Sequence, residues 1–243
     1  MIVVDAPQAM DYVTPRDESE TIMTQRFSKP TQLMPTLSRR GFVVGTSALV
    51  GMTALPSMGF ADDGDDAALK AALSPRYIGD ADAPVTIAEY YSMTCGHCAS
   101  FHNNTFPKVK TRLIDKGIVR FEMRAFPLDG LALRAHALAR SLPEAKFFPM
   151  VKTLLAQQPS WSRAPDPLAE LMKIARFAGV GEEQFNNIMR NRPLLEGIVA
   201  QRQQGLDDWD ISSTPSFVVN DDTVIAGNMS YEDFAEKLSA YGA

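Results

Sequence analysis

The sequence predicts an α/β fold in which helices cover both faces of a mixed sheet and a long helical block interrupts the order of strands. Two β-branched and aromatic runs, at 84–91 and 118–126, flank a helical segment, as two strands joined by a helix would. Residues 130–208 have the pattern of helices almost throughout, and paired apolar runs near residue 220 predict a hairpin. Together these features indicate one α/β domain with a helical insertion.

Composition limits the classes of function. The chain has 243 residues, of which 45% are hydrophobic and 22% charged, which excludes disorder as a description of the whole. It contains 24 Lys and Arg against 29 Asp and Glu, a net charge of −5. A nucleic-acid partner is therefore not expected, because such binding depends on a basic surface.

The amino-terminal 61 residues are predicted to lie outside the folded domain. Residues 1–40 are polar and proline-containing, and the basic residues of 21–40 precede a stretch, 41–61, without any charge. This order is that of an export signal, which we place at about 34–61, with cleavage after Ala61 and a mature domain of 62–243. A retained membrane anchor is the alternative for the uncharged stretch.

The basic segment before the uncharged stretch fits two routes of export. The segment around Arg39 and Arg40 resembles a twin-arginine signal, although an ordinary Sec signal also carries basic residues before its apolar region. Met23 and Met34 are alternative initiators. Export itself matters for the chemistry, because a dithiol can stay oxidised outside the cytoplasm.

The elements of the domain follow in order. The first strand ends just before Cys95, and a helix from there to residue 116 should be kinked or broken at Pro107. After the second strand, the helices are predicted at 130–142, 144–157, 166–178, 182–191 and 193–208, with a loop at Pro159–Pro167. A hairpin of 217–219 and 223–226 and a final helix opened by Ser230 complete the chain.

The two cysteines of the chain, Cys95 and Cys98, enclose Gly96 and His97. Ala99 excludes haem attachment, which requires His directly after the second cysteine. A purely structural disulfide would stabilise the fold by only about 2 kcal/mol, because it closes a very short loop.

A zinc site is a further alternative for the cysteine pair. Cys95, Cys98 and His102 fall at i, i+3 and i+7 and would share one helical face, with His136 as a fourth ligand. No second ligand pair of the usual spacing completes this pattern. For His102 and His136 individually, we expect a surface or packing role.

Redox catalysis gives each residue of the motif a role. Cys95 at a helix start would meet free backbone N–H groups and the positive end of the helix dipole, both of which favour its thiolate as a nucleophile. His97 would stabilise the same thiolate. Cys98, one turn further into the helix, would be less exposed and would act as the resolving thiol.

Two other positions are candidates for this site. Glu89 is either a solvent-facing residue of its strand or a buried carboxylate that handles the proton of Cys98 during exchange. Thr214-Pro215 lies between the helical block and the hairpin. Most bonds of this kind are trans, but a cis-proline corner facing the cysteines fits this position.

These residues carry a family resemblance that covers 75–243. The run Glu89-Tyr-Tyr-Ser-Met-Thr-Cys-Gly-His-Cys-Ala-Ser-Phe-His, the run Thr214-Pro215-Ser-Phe-Val-Val-Asn and the helical block resemble exported DsbA-type thiol:disulfide oxidoreductases, which have thioredoxin-like folds with a helical insertion. The resemblance implies that Cys95 is the nucleophile and Cys98 the resolving thiol. It also implies a buried acid at Glu89, a cis Pro215 lining the substrate groove and an extended substrate strand paired beside it.

The expected function is disulfide formation in folding exported proteins, with a membrane quinone-linked partner similar to DsbB as reoxidant, no cofactor or metal, and a monomeric chain. The Gly-His dipeptide departs from the Pro-His of the best-known oxidases and also resembles isomerases of moderate potential. Disulfide isomerase or reductase is therefore the alternative of the same fold. A zinc-stabilised interaction module is the non-enzyme alternative.

Overall fold

A five-stranded mixed sheet lies at the centre of the part of the chain that this computed structural model describes, residues 63–243. The spatial order of its strands is β1-β3-β2-β4-β5. The strands are β1 (Tyr77–Ile78), β2 (Val85–Tyr91), β3 (Val119–Ala125), β4 (Ser216–Val219) and β5 (Thr223–Ala226). β2 and β3 are parallel, and the remaining neighbours are antiparallel.

Helices cover the sheet and fill the gap in the chain between β3 and β4. The helices are α1 (Asp63–Leu73), α2 (Gly96–Ser100), α3 (Phe106–Val109), α4 (Gly130–Arg140), α5 (Glu144–Ala156), α6 (Gln158–Ser162), α7 (Pro167–Phe177), α8 (Glu182–Arg190), α9 (Arg192–Trp209) and α10 (Tyr231–Ser239). The segment from α4 to α9 is the predicted helical insertion. The predicted fold class, a mixed α/β sheet with inserted helices, is thus confirmed.

The central position of β2 explains its composition. It pairs with β3 on one side and β4 on the other, and of its residues only Thr86 is exposed. A strand covered on both faces does not alternate between apolar and polar residues, which is why this run is almost continuously apolar. Glu89 in the same strand is consequently enclosed by the core.

The helical segment after the cysteines absorbs Pro107 by changing its hydrogen-bond register. A π-helical turn at Phe101–Thr105 precedes α3, and a second one at Lys110–Ile114 follows it. Across the first π turn, the N–H group of Phe106 donates to the carbonyl of Phe101, five residues back. Pro107 then occupies the first turn of α3, where no N–H donor is required. The segment is therefore not broken at Pro107 but stays helical to Ile114, with a π turn on each side of α3, and the alternative of a kink stays a prediction.

The hairpin near the end of the chain has the geometry its sequence predicts. Asn220 and Asp221 have φ values of 52° and 49°, and Asp222 N donates to Val219 O at 3.0 Å. Two successive residues with positive φ make a turn whose twist suits a hairpin. Ser230 begins α10 by accepting a hydrogen bond from Asp233 N at 3.1 Å.

Three features differ from the sequence-based prediction or lie beyond it. Helix α1 and the short strand β1 were not predicted, and α6 occupies part of the predicted Pro159–Pro167 loop. The export signal, its cleavage after Ala61 and the alternative membrane anchor lie outside the described residues. Within residues 63–243, no helix has both the length and the apolar character needed to cross a bilayer.

Candidate active site

Cys95 lies at the junction of β2 with the first helix that follows it. It is the N-cap residue of α2, with φ −78° and ψ 117°, and its sulfur accepts a hydrogen bond from Cys98 N at 3.4 Å. This places the sulfur at the end of a helix where backbone N–H groups have no partner within the helix. Cys95 is 8% exposed and Cys98 0%, and both are free thiols.

The two thiols have opposite pKa shifts. The pKa of Cys95 is lowered to about 5, chiefly because the Cys98 thiol donates a hydrogen bond to its sulfur. Burial opposes this effect. The Thr214 side chain and the N–H groups of Cys98 and His97 lower the pKa further. The pKa of Cys98 is raised strongly, chiefly by burial, and further by Cys95 and the charge of Glu89. The pair is therefore divided into an acidic thiol near the surface and a buried thiol that keeps its proton.

The Thr214-Pro215 peptide bond is cis and lies beside the dithiol. The Cys95 thiol donates to the backbone carbonyl of Thr214, with 3.2 Å between Sγ and the oxygen. The Thr214 side chain is buried, and its hydroxyl has no hydrogen-bond partner among residues 63–243. Once Cys95 loses its proton, that hydroxyl can donate to the thiolate. Because this bond stabilises the charged form, the Thr214 side chain lowers the pKa of Cys95.

His97 has an exposed side chain. The backbone N–H group of His97 lowers the pKa of Cys95, so this residue acts on the sulfur through its place in the helix start. A role for its imidazole as thiolate stabiliser stays a prediction.

Glu89 is fully buried, so the solvent-facing alternative for this residue is wrong. Its Oε2 lies 2.7 Å from His102 Nε2, while Oε1 has no partner in the described part of the chain. His102 is buried as well. The sequence offered His102 as a candidate zinc ligand and favoured a surface or packing role for it, and its hydrogen bond to the acid of the preceding strand was missed.

The described residues do not form the set of ligands that the zinc alternative requires. Among residues 63–243, no group of three His, Cys, Asp or Glu side chains is arranged to hold a metal ion. His136 is buried on α4 with its ring 4.8 Å from that of Tyr91, and burial lowers its pKa to about 3 with a further effect of Arg140. His102 contacts Glu89 instead of the cysteines.

The helical insertion contacts the loop before Cys95 through two polar side chains. Gln158 of α6 donates to the carbonyls of Met93 and Cys95 at 2.8 and 2.9 Å. Asp129, the N-cap of α4, accepts from Thr94 Oγ1 at 2.7 Å. Neither Asp129 nor Gln158 was identified from the sequence, and no pattern in the sequence marked Gln158.

The chain therefore has a buried dithiol at a strand-to-helix junction, a cis-proline beside it and a helical insertion that contacts it. A family model described as thioredoxin matches residues 72–240. The chain belongs to the thioredoxin family. Within this family it is similar to a putative protein-disulfide oxidoreductase of Rickettsia bellii, with 29% identity over 144 residues, which are 59% of this chain and 56% of that protein.

Two further relatives of this thioredoxin family member support its resemblance to DsbA-type proteins. Disulfide bond formation protein D of Bacillus subtilis is 26% identical over 170 residues, 66% of this chain and 74% of that protein. The crystal structure of α-DsbA1 of Wolbachia pipientis superposes with a TM-score of 0.64 and 27% identity, covering 70% of this chain and 92% of that chain. The resemblance to DsbA-type proteins is thus confirmed, although this chain spans only about half the length of the Rickettsia relatives that it matches.

Proposed function

We propose that the protein is an exported thiol:disulfide oxidoreductase of the DsbA type that introduces disulfides into folding exported proteins. The observation that carries the proposal is the position of Cys95 at the start of α2 next to the buried Cys98, which lowers the pKa of Cys95 to about 5 and strongly raises that of Cys98. A stable thiolate is a good leaving group, and stabilising the reduced form makes the disulfide a stronger oxidant. The fold and the relatives support the same chemistry.

The reaction proceeds in two exchanges. A substrate thiolate attacks Sγ of Cys95 in the Cys95–Cys98 disulfide. This attack forms a mixed disulfide between the substrate and Cys95 and releases Cys98, and the released thiolate of Cys98 takes up a proton. The second substrate thiolate then attacks the substrate sulfur of the mixed disulfide, and Cys95 leaves as its thiolate. The substrate loses two electrons to the Cys95–Cys98 disulfide, which becomes the dithiol as the disulfide of the substrate forms.

Four further residues support this chemistry in the proposal. Glu89 handles the proton of Cys98, because it is buried, has one oxygen without a partner among residues 63–243 and acts electrostatically on that thiol. Thr214 and Pro215 form the substrate-binding edge, where the backbone beside Cys95 would pair with an extended substrate segment. His97 stabilises the thiolate.

The partners follow from this direction of electron flow. Each turnover leaves the dithiol reduced, so a DsbB-like membrane protein linked to quinone is the proposed reoxidant. The substrates are reduced or unfolded exported proteins, and the enzyme acts as a monomer without cofactor. Residues 34–61 serve as the export signal, twin-arginine in type, and cleavage after Ala61 releases the domain to the periplasm.

The reduction potential tests the direction of the reaction. We expect equilibration with glutathione to give a value more oxidising than about −200 mV, on the side of DsbA at about −120 mV rather than of thioredoxin at about −270 mV. Oxidised protein should also form disulfides in a reduced unfolded substrate, and Cys95→Ser should abolish this. A potential near that of thioredoxin would overturn the oxidase assignment.

Isomerisation or reduction is the second candidate, and the Gly96-His97 dipeptide favours it. Gly96 at the start of α2 is exposed, and among residues 63–243 no atom beyond its chain neighbours and its own helix backbone lies within 4 Å of the position a Cβ would take. Faster rearrangement of a substrate with wrong disulfides than oxidation of the reduced substrate would support this direction.

A further inference from the structure

Gln158 connects the helical insertion to the peptide that carries the nucleophile. It is the first residue of α6 and is 4% exposed. Its Nε2 donates to Met93 O at 2.8 Å and to Cys95 O at 2.9 Å. Each of the two amide hydrogens therefore binds a different carbonyl at the start of α2. This contact joins residues that are more than sixty positions apart in the chain.

We infer that Gln158 is a positioning residue for the Cys95 thiolate, through which the helical insertion sets the acidity of the nucleophile. The inference rests on the proposed function, in which Cys95 is the reactive thiol. Within residues 63–243, Gln158 makes no hydrogen bond to the sulfur itself and acts through the backbone on either side of it.

The electrostatic effect of this contact favours the thiolate. Carbonyl oxygens carry partial negative charge, and those of Met93 and Cys95 belong to the turn that presents the sulfur. The Gln158 amide places two positively polarised hydrogens on these oxygens, which offsets their repulsion of a developing negative charge. In a buried site, such dipoles act more strongly than they would in water.

The geometric effect has the same direction. Cys95 O also accepts from Ala99 N at 3.1 Å, which is the first hydrogen bond of the helix start. By holding this carbonyl, Gln158 keeps the first turn of α2 oriented with the N–H groups of His97 and Cys98 towards the sulfur. Without Gln158, both the dipoles and the alignment that stabilise the thiolate are weakened.

Gln201 of α9 provides a matched control for a purely structural role. Its Nε2 donates to Leu73 O at 2.9 Å, an amide-to-carbonyl bond of the same kind between the insertion and another part of the domain. Its Oε1 accepts from Arg140 at 2.8 Å, and it makes no hydrogen bond to the dithiol loop within residues 63–243. Loss of this side chain should therefore lower stability alone.

The experiment compares Gln158→Met with Gln201→Met in the full reduced chain, because Met has a similar length and no donor. The pKa of Cys95 is measured from thiolate absorbance against pH, together with the reduction potential against glutathione and the melting temperature. Both variants should melt at lower temperature. Only Gln158→Met should raise the pKa of Cys95, by about one unit or a tenfold shift of its ionisation, and make the potential more reducing.

Gln158→Asn keeps the inference testable if the Met variant does not fold. Its amide is one carbon shorter and cannot reach both carbonyls, so we expect a shift of the same sign and smaller size. An unchanged pKa and potential in a folded Gln158 variant, with wild-type Cys95 still acidic, would overturn this inference alone. A wild-type Cys95 that titrates near its ordinary value would instead contradict the proposed function.

Discussion

Glu89 and His102 form a hydrogen bond of 2.7 Å inside the core, between the central strand β2 and the helical segment that carries the cysteines. One oxygen of the carboxylate is held by the imidazole, and the other has no partner among the residues the structure describes. The charge of Glu89 also contributes to the raised pKa of Cys98. The bond therefore orients an acid whose charge acts on the resolving thiol.

Replacing Glu89 by Gln should slow the step in which Cys98 attacks a mixed disulfide at Cys95. We expect a loss of roughly 10- to 100-fold, because positioned proton transfer contributes about this much or more to such steps. The decay of a glutathione mixed disulfide measures this step directly. Glu122→Gln is the matched control, because Glu122 is also buried but is paired with Arg124. Equal decay rates in the Glu89 variant and wild type would remove the assigned role.

The stability of the reduced protein should depend on pH through Cys95. The pKa of Cys95 is lowered from 9.0 to about 5 on folding, so the Cys95 thiolate stabilises the folded state. This stabilisation is complete above pH 9 and is lost as the pH falls through 5. At pH 7 the contribution is about 2 to 3 kcal/mol relative to pH 5. The difference in unfolding free energy between wild type and Cys95→Ser, measured by denaturant titration, should therefore grow from pH 5 to 8. A difference that is flat over this range would contradict the lowered pKa.

The side chain of Thr214 should contribute separately to the acidity of Cys95. Thr214→Val removes the buried hydroxyl that can donate to the thiolate while keeping the backbone carbonyl. We expect the pKa of Cys95 to rise by about half a unit to one unit. Thr105→Val is the control, since its hydroxyl donates to Met229 O at 2.7 Å and does not act on Cys95. If both variants shift the pKa of Cys95 equally, the effect does not come from the Thr214 hydroxyl.

Arg140 should be important for stability but not for the chemistry. It is 3% exposed and donates to Ala72 O, Ser74 O and Gln201 Oε1 at 3.3, 3.3 and 2.8 Å. Arg140→Met leaves these acceptors without their donor, and we expect a loss of about 3 kcal/mol in unfolding free energy. Lys173→Met, at an exposed pair with Glu170, should change stability by less than about 1 kcal/mol. If Arg140→Met is as stable as wild type, the hydrogen bonds of Arg140 contribute little to stability.

The local features of the fold were predictable because short-range chemistry determines them. The run around Glu89 predicted a strand, the apolar runs on either side of Asn220-Asp221 predicted a hairpin, and Ser230 predicted a helix start. The position of Cys95 at the junction of strand and helix followed from the same patterns. Strand β1 was missed because its two residues, Tyr77 and Ile78, are too few to form a pattern.

The contacts between distant segments could not be predicted in the same way. The sequence left Glu89 open between surface and interior, and only the placement of β2 between β3 and β4 shows that it is buried. Its bond to His102 depends on the register of the π turn that follows α2. Gln158 has no sequence signal because its partners are backbone carbonyls, which every residue has.

The pH dependence of alkylation at each cysteine tests the central claim most directly. The reduced protein is treated with iodoacetamide across a range of pH, and mass spectrometry assigns the label to Cys95 or Cys98. The account predicts that Cys95 reacts with an apparent pKa of about 5 and that Cys98 stays unlabelled in the folded protein. Labelling of Cys95 with an apparent pKa near 9, or equal labelling of both cysteines, would contradict it.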